Sequence, residues 1–263
     1  MKALITSGCS LSIVDEVVDM IKPGVQYPRI ETWPIWLEKE FEPEYHSASG
    51  QQSVGTDLIS RRAIYHCTQA LKQYKGEDIL CVCTFSTLYR TAGIFHNTDM
   101  LPKQLLKNLT NEELEDRTFI EQGTDFDVNK KEDDWSWYYW NLWRDKPGLE
   151  YFYTYYNSEM NLIEQYLWNV LAVKNFCAAN NIHFYYSFIE NLESFGVDID
   201  HWSIKHLYDS VTNTSQFIPY GISQWVNQHY PKLIRDDIHP TSEGHELYAK
   251  KILIPHIRKY VNI

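Results

Sequence analysis

Asp78-Ile79-Leu80-Cys81-Val82-Cys83-Thr84-Phe85-Ser86 is a near-continuous apolar run that ends in small hydroxyl-bearing residues. Such a run reads as a strand covered by helices on both faces. Upstream of it, Leu58, Ile59, Ala63, Ile64, Cys67, Ala70 and Leu71 recur at helical spacing. They predict a helix over 57–74, capped by Thr56 and closed by Lys75-Gly76. Earlier still come a short strand over 44–49 and a helix with apolar residues at 33, 36, 37 and 41. The chain begins with a strand, Ala3-Leu4-Ile5-Thr6, that runs into Ser7-Gly8-Cys9-Ser10. Strand, helix, strand, helix, strand in this order predicts an α/β protein: a three-layer α/β/α sandwich around a flavodoxin-like parallel sheet.

Downstream, an amphipathic helix is expected over 158–180, then a strand over 184–189, a mixed segment over 190–231 and a final helix over 240–260. The pattern breaks at about 91–156. Here 103–117 looks helical, 125–134 is acidic, and Trp135-Ser136-Trp137-Tyr138-Tyr139-Trp140 is densely aromatic. The expectation is one domain over 1–263 with an aromatic-rich helical insertion or lid. Its rings either form their own small core or face an apolar ligand such as a sugar.

Composition narrows the function classes. Hydrophobic residues at 44% and charged residues at 22% are ordinary for a soluble globular chain, whereas 15% aromatic residues exceed what a core needs. A net charge of -11 argues against a nucleic-acid partner and against anionic membranes. No basic segment followed by an apolar one opens the chain, and no apolar run reaches membrane-span length, so a cytoplasmic or virion location is expected. The 5 cysteines are odd in number and read as buried free thiols in a reducing compartment. Cys81 and Cys83 are expected to point to opposite faces of their strand, and no zinc-ligand spacing occurs. Asp125-Phe126-Asp127-Val128-Asn129 begins like a calcium loop, but Lys130 stands where glycine is needed and Ser136 where glutamate is. His239 and His245 have no third ligand spaced to join them. Neither a metal nor a cofactor is expected.

Chemistry concentrates at the two ends of the chain. Arg235-Asp236-Asp237-Ile238-His239-Pro240 puts a histidine directly before proline, which holds it in extended geometry. An acid three residues earlier can accept the Nδ1 proton and orient the imidazole as a general base. Ser10, at the tip of the first strand, is the matching nucleophile, since ligands of open α/β sheets bind beyond the carboxyl ends of strands. Together the three are what acyl transfer requires.

Gly8-Cys9-Ser10-Leu11-Ser12 with Asp236-x-x-His239-Pro240 resembles the SGNH (GDSL-like) hydrolase superfamily. More narrowly, with Gly55-Thr56-Asp57-Leu58-Ile59-Ser60-Arg61 and Phe85-Ser86-x-x-x-Arg90, it is similar to a branch common in phage and in bacterial surface-polysaccharide loci. The resemblance implies Ser10 as nucleophile, His239 as base and Asp236 as its orienting acid. It also implies an oxyanion hole from the backbone N–H groups of Ser10 and a second-block glycine, for which Gly55 fits best and Gly50 is the alternative. The family's third block offers an asparagine side chain; Thr84-Phe85-Ser86-Thr87-Leu88 has none, so Ser86 or Thr87 is the candidate donor, with Arg90 as a nearby charge. Arg90, Trp135, Trp137 and Trp140 are the candidate substrate contacts. The expected activity is that of a serine esterase on a small ester or an acylated glycan. The alternatives are an O-acyltransferase to a sugar, or a non-catalytic virion or surface module that associates with a virion or with copies of itself.

Overall fold

The computed structural model describes residues 1–12, 30–50, 55–86, 90–96, 135–141, 159–195, 198–235 and 239–261; of Ser10, 90–96, 135–141, 159, 194 and 195 it describes the backbone alone. The described residues form strands β1 (Ala3–Gly8), β2 (Tyr45–Gly50), β3 (Ile79–Phe85), β4 (Arg90–His96), β5 (Trp135–Asn141) and β6 (His183–Phe188). The helices are α1 (Trp33–Phe41), α2 (Thr56–Ala70), α3 (Glu159–Ala179), α4 (Lys205–Thr212), α5 (Ile222–His229), α6 (Ser242–Tyr248) and α7 (Ile254–Tyr260).

Four strands make an all-parallel sheet in the order β2-β1-β3-β6, the expected α/β arrangement with β1 and β3 in the middle. Every residue of β1 and β3 is buried, which explains why both read as apolar runs. Side-chain contacts define the two covering layers. On one face Ser7 donates to the Ile59 carbonyl of α2 at 3.1 Å, and α3 packs beside α2. On the other, His46 of β2 touches Thr6 at 3.2 Å and pairs with Glu38 of α1 at 3.2 Å. Each fully buried Leu, Ile or Phe in these layers contributes about 1.5–3 kcal/mol.

Several local expectations are revised. Thr56 does not cap α2: Gly55 is the N-cap and Thr56 the first helical residue, with no side-chain cap bond. Gly76 does not close that helix, which ends at Ala70; a Cβ there would lie 1.7 Å from the Asn180 carbonyl oxygen, so glycine is needed for close backbone approach. Cys81 and Cys83 share a face, with Sγ atoms 3.9 Å apart. Alternation separates neighbours such as 81 and 82, whereas residues two apart lie together. The final helix is broken by a π turn over Ala249–Leu253.

The insertion also differs from expectation. Its described residues are strands: β4 pairs antiparallel with β5, setting Arg90 opposite Asn141 and Thr91 opposite Trp140, and β4 lies against α2. A dense aromatic run suits a pleated strand better than a helix, where ring χ1 freedom is lost. The expected helix over 103–117 and the acidic segment 125–134 lie outside the described residues. No helix among the described residues is long and apolar enough to cross a membrane.

Candidate active site

The carboxyl end of β1 turns sharply. A Cβ on Gly8 would fall 2.0 Å from Ser12 Oγ and 3.1 Å from the Thr84 carbonyl oxygen, so only glycine fits. Cys9 is buried, and Ser10–Ser12 form a 3₁₀ turn closed by the Ser12 N–H on the Cys9 carbonyl at 2.8 Å. This turn puts the Ser10 backbone at the carboxyl edge of a central strand, where an open α/β sheet binds ligands. The Ser10 side chain lies outside the described atoms.

The turn is fastened from above. Ser12 Oγ is buried and accepts from the Trp33 indole N–H at 3.0 Å. The Trp33 backbone N–H in turn donates to His245 Nδ1 of α6 at 3.3 Å. Beside it, the Glu31 N–H donates to Ser242 Oγ at 2.9 Å. Trp33 therefore joins the first chemical segment of the chain to the last. It can do so because Trp33 is the first residue of α1, so its N–H lies outside the helical ladder, and Pro34 beside it has no N–H to satisfy.

The last segment is a clamped loop. The Arg235 N–H donates to the His239 carbonyl at 2.9 Å, the Thr241 N–H donates to the Leu233 carbonyl at 2.8 Å, and Ile234 bridges Pro240. His239 emerges half-buried from this clamp, next to the buried Pro240. Thr241 caps α6, accepting from the Gly244 N–H at 3.3 Å. Asp236 lies outside the described residues, between the two clamped flanks. His245 is wholly buried, and its pKa is pushed down to about 3, first by burial and then by nearby His239 and Arg235. It therefore stays neutral and keeps Nδ1 as an acceptor.

Gly55, extended and buried, starts α2 at the same edge, so its backbone N–H has no place in the helical ladder. A helix N-terminus favours developing negative charge. Ser86 follows the end of β3 and is buried. Two further hydroxyls, Thr84 Oγ1 and Tyr166 OH, are buried without a hydrogen bond among the described residues, as is Thr56 Oγ1. Tyr166 comes from α3. Burial raises its pKa well above the usual phenol value, partly offset by the Thr56 hydroxyl, which lies beside it without closing a bond of good geometry. Cys9 is close enough to Tyr166 to add to that rise.

The fold thus brings the expected Ser10, Gly55, Ser86 and His239 to one edge of the sheet or to the elements fastened there. Arg90, Trp135, Trp137 and Trp140 are fixed only as backbone positions on the β4–β5 pair. Sequence reasoning missed Ser12, Trp33 and Tyr166 and weighed His245 only as a metal ligand. The one local signal was Trp33-Pro34 at a helix start; Tyr166 sits on an ordinary apolar helix face. No protein-family model matches the chain, and neither does any curated protein.

Proposed function

We propose that the chain is a serine esterase that cleaves an acyl ester by a Ser10, His239 and Asp236 mechanism, with an acylated glycan as the substrate class. Ser10 Oγ attacks the ester carbonyl while its proton passes to His239 Nε2, and Asp236 steadies the imidazolium through Nδ1. The oxyanion rests on the backbone N–H groups of Ser10 and Gly55, with the Ser86 hydroxyl as third donor. Collapse expels the alcohol, which takes the proton from His239. Water then attacks the acyl-enzyme by the same route in reverse.

One observation carries the reading: Trp33 hydrogen-bonds both the turn that holds Ser10 and the helix that follows His239. Residues more than two hundred positions apart in sequence are thereby held to a common edge. The glycan assignment rests on the resemblance and on the aromatic strand pair.

The test is hydrolysis of p-nitrophenyl acetate by the wild type and by Ser10→Ala. The variant is expected to lose at least about a thousandfold in rate while keeping its melting temperature. Equal rates would overturn the role of Ser10 and leave a binding module. Release of free acid that falls when a sugar acceptor is added would favour the transferase.

A further inference from the structure

Four of the 5 cysteines in the chain converge on one place in the core, and they arrive from three separate elements. Cys67 comes from the last turn of α2, Cys177 from the end of α3, and Cys81 and Cys83 from β3. The sulfur atoms of Cys67, Cys81 and Cys177 all lie within 4.8 Å of one another, and Cys83 Sγ is 3.9 Å from Cys81 Sγ. All four are reduced and buried.

We propose that Cys67, Cys81 and Cys177 form a binding site for one soft, thiol-seeking metal ion of the zinc or copper(I) class, with Cys83 in reach as a fourth ligand. The geometry is close to what such an ion needs. Metal–sulfur bonds of about 2.3 Å place sulfurs about 3.8 Å apart in a tetrahedral site and about 4.0 Å apart in a trigonal one. The Cys81–Cys83 separation already matches, and the three separations among Cys67, Cys81 and Cys177 need only a contraction of less than about 1 Å. Thiolates select these ions over magnesium or calcium, which take oxygen ligands.

Ionisation of these thiols in a dry core needs a cation, because isolated buried charge costs too much. A divalent ion on three thiolates leaves a single net negative charge, and each thiolate formed releases one proton to water.

This site is separate from the candidate active site. Cys81 pairs with Ile5, three residues before the Gly8 tip, or about 10 Å along the strand. Linear spacing could not reveal it, since Cys177 lies in a helix far along the chain from Cys67 and Cys81. The ion would join α2, β3 and α3, so binding is coupled to folding.

The test uses the full-length chain, unfolded and refolded anaerobically with reductant in the presence of zinc(II), copper(I) supplied as its acetonitrile complex, or magnesium(II). After gel filtration, about one zinc or copper per chain and no magnesium is expected, with a coordination shell of sulfur alone in X-ray absorption. Cys67→Ala, Cys81→Ala and Cys177→Ala should each lower retention at least tenfold, whereas Cys9→Ala should not. Retention of neither soft ion overturns the site, and so does a shell of nitrogen or oxygen. Should the alanine variants fail to fold, the wild-type shell and stoichiometry still decide.

Discussion

Two sets of buried hydroxyl groups, at neighbouring levels of the same sheet, are treated differently. In one, Ser7 donates to the Ile59 carbonyl at 3.1 Å, Ser49 donates to Ser7 Oγ at 3.1 Å, and Tyr186 donates to the Val211 carbonyl at 2.5 Å. Tyr248 donates to the Tyr220 carbonyl at 2.6 Å and lies 3.2 Å from Ser187 Oγ. In the other, Thr56, Thr84 and Tyr166 bury hydroxyls with no such bond among the described residues. Thr84 stands in register with Ser187, so height along the sheet does not separate the sets. An unsatisfied buried hydroxyl costs about 1–3 kcal/mol, so the second set is where the fold forgoes stability.

The largest effect that would sharpen this contrast concerns His245, the group that fastens the edge. Its folded pKa of about 3 lies below the unfolded value of about 6.5, so the unfolded chain binds the proton first. Its contribution is fully present above about pH 6.5 and is lost as pH falls toward 3. The slope approaches about 1.4 kcal/mol per pH unit, or about 3 kcal/mol by pH 4. His245→Asn keeps an acceptor for the Trp33 N–H without titrating. Urea unfolding from pH 7 to pH 4 is therefore expected to show a shallower fall for the variant, and parallel curves would refute the assignment.

A smaller effect is expected in the satisfied set. Tyr248→Phe leaves the Tyr220 carbonyl without its donor and should cost about 1–2 kcal/mol in the same unfolding measurement. The ring itself stays packed against Trp225, so a loss much above that range would mean that the phenylalanine ring had moved.

The sheet and the candidate site were also unequally legible in the sequence. The strands β1, β3 and β6 and helices α1, α2 and α3 follow from apolar runs and periodicity, because both faces of the sheet are covered and burial writes itself into composition. The aromatic run at 135–141 misled, since short apolar stretches do not separate strand from helix. In the candidate site, the positions of Ser10 after a strand tip and of His239 before proline were legible because these settings are local properties. Trp33, His245 and Tyr166 act through contacts across the fold, and the meeting of Cys67 with Cys177 is likewise tertiary. Periodicity carries no record of which helix faces meet.

The smallest predicted effect is the one that tests the contrast most directly. Tyr166→Phe removes a hydroxyl that has no hydrogen bond to lose, and it keeps the ring that packs edge-on against Phe188 at 5.3 Å. Removing a buried, unsatisfied polar group is neutral or stabilising, so a change between about 0 and +1 kcal/mol is expected. The same substitution type at Tyr248 is expected to go the other way. If Tyr166→Phe destabilised the protein as much as Tyr248→Phe, the hydroxyl would have a partner and the second set would be an ordinary part of the core. If stability held or rose while ester hydrolysis fell, the hydroxyl would be kept for the reaction.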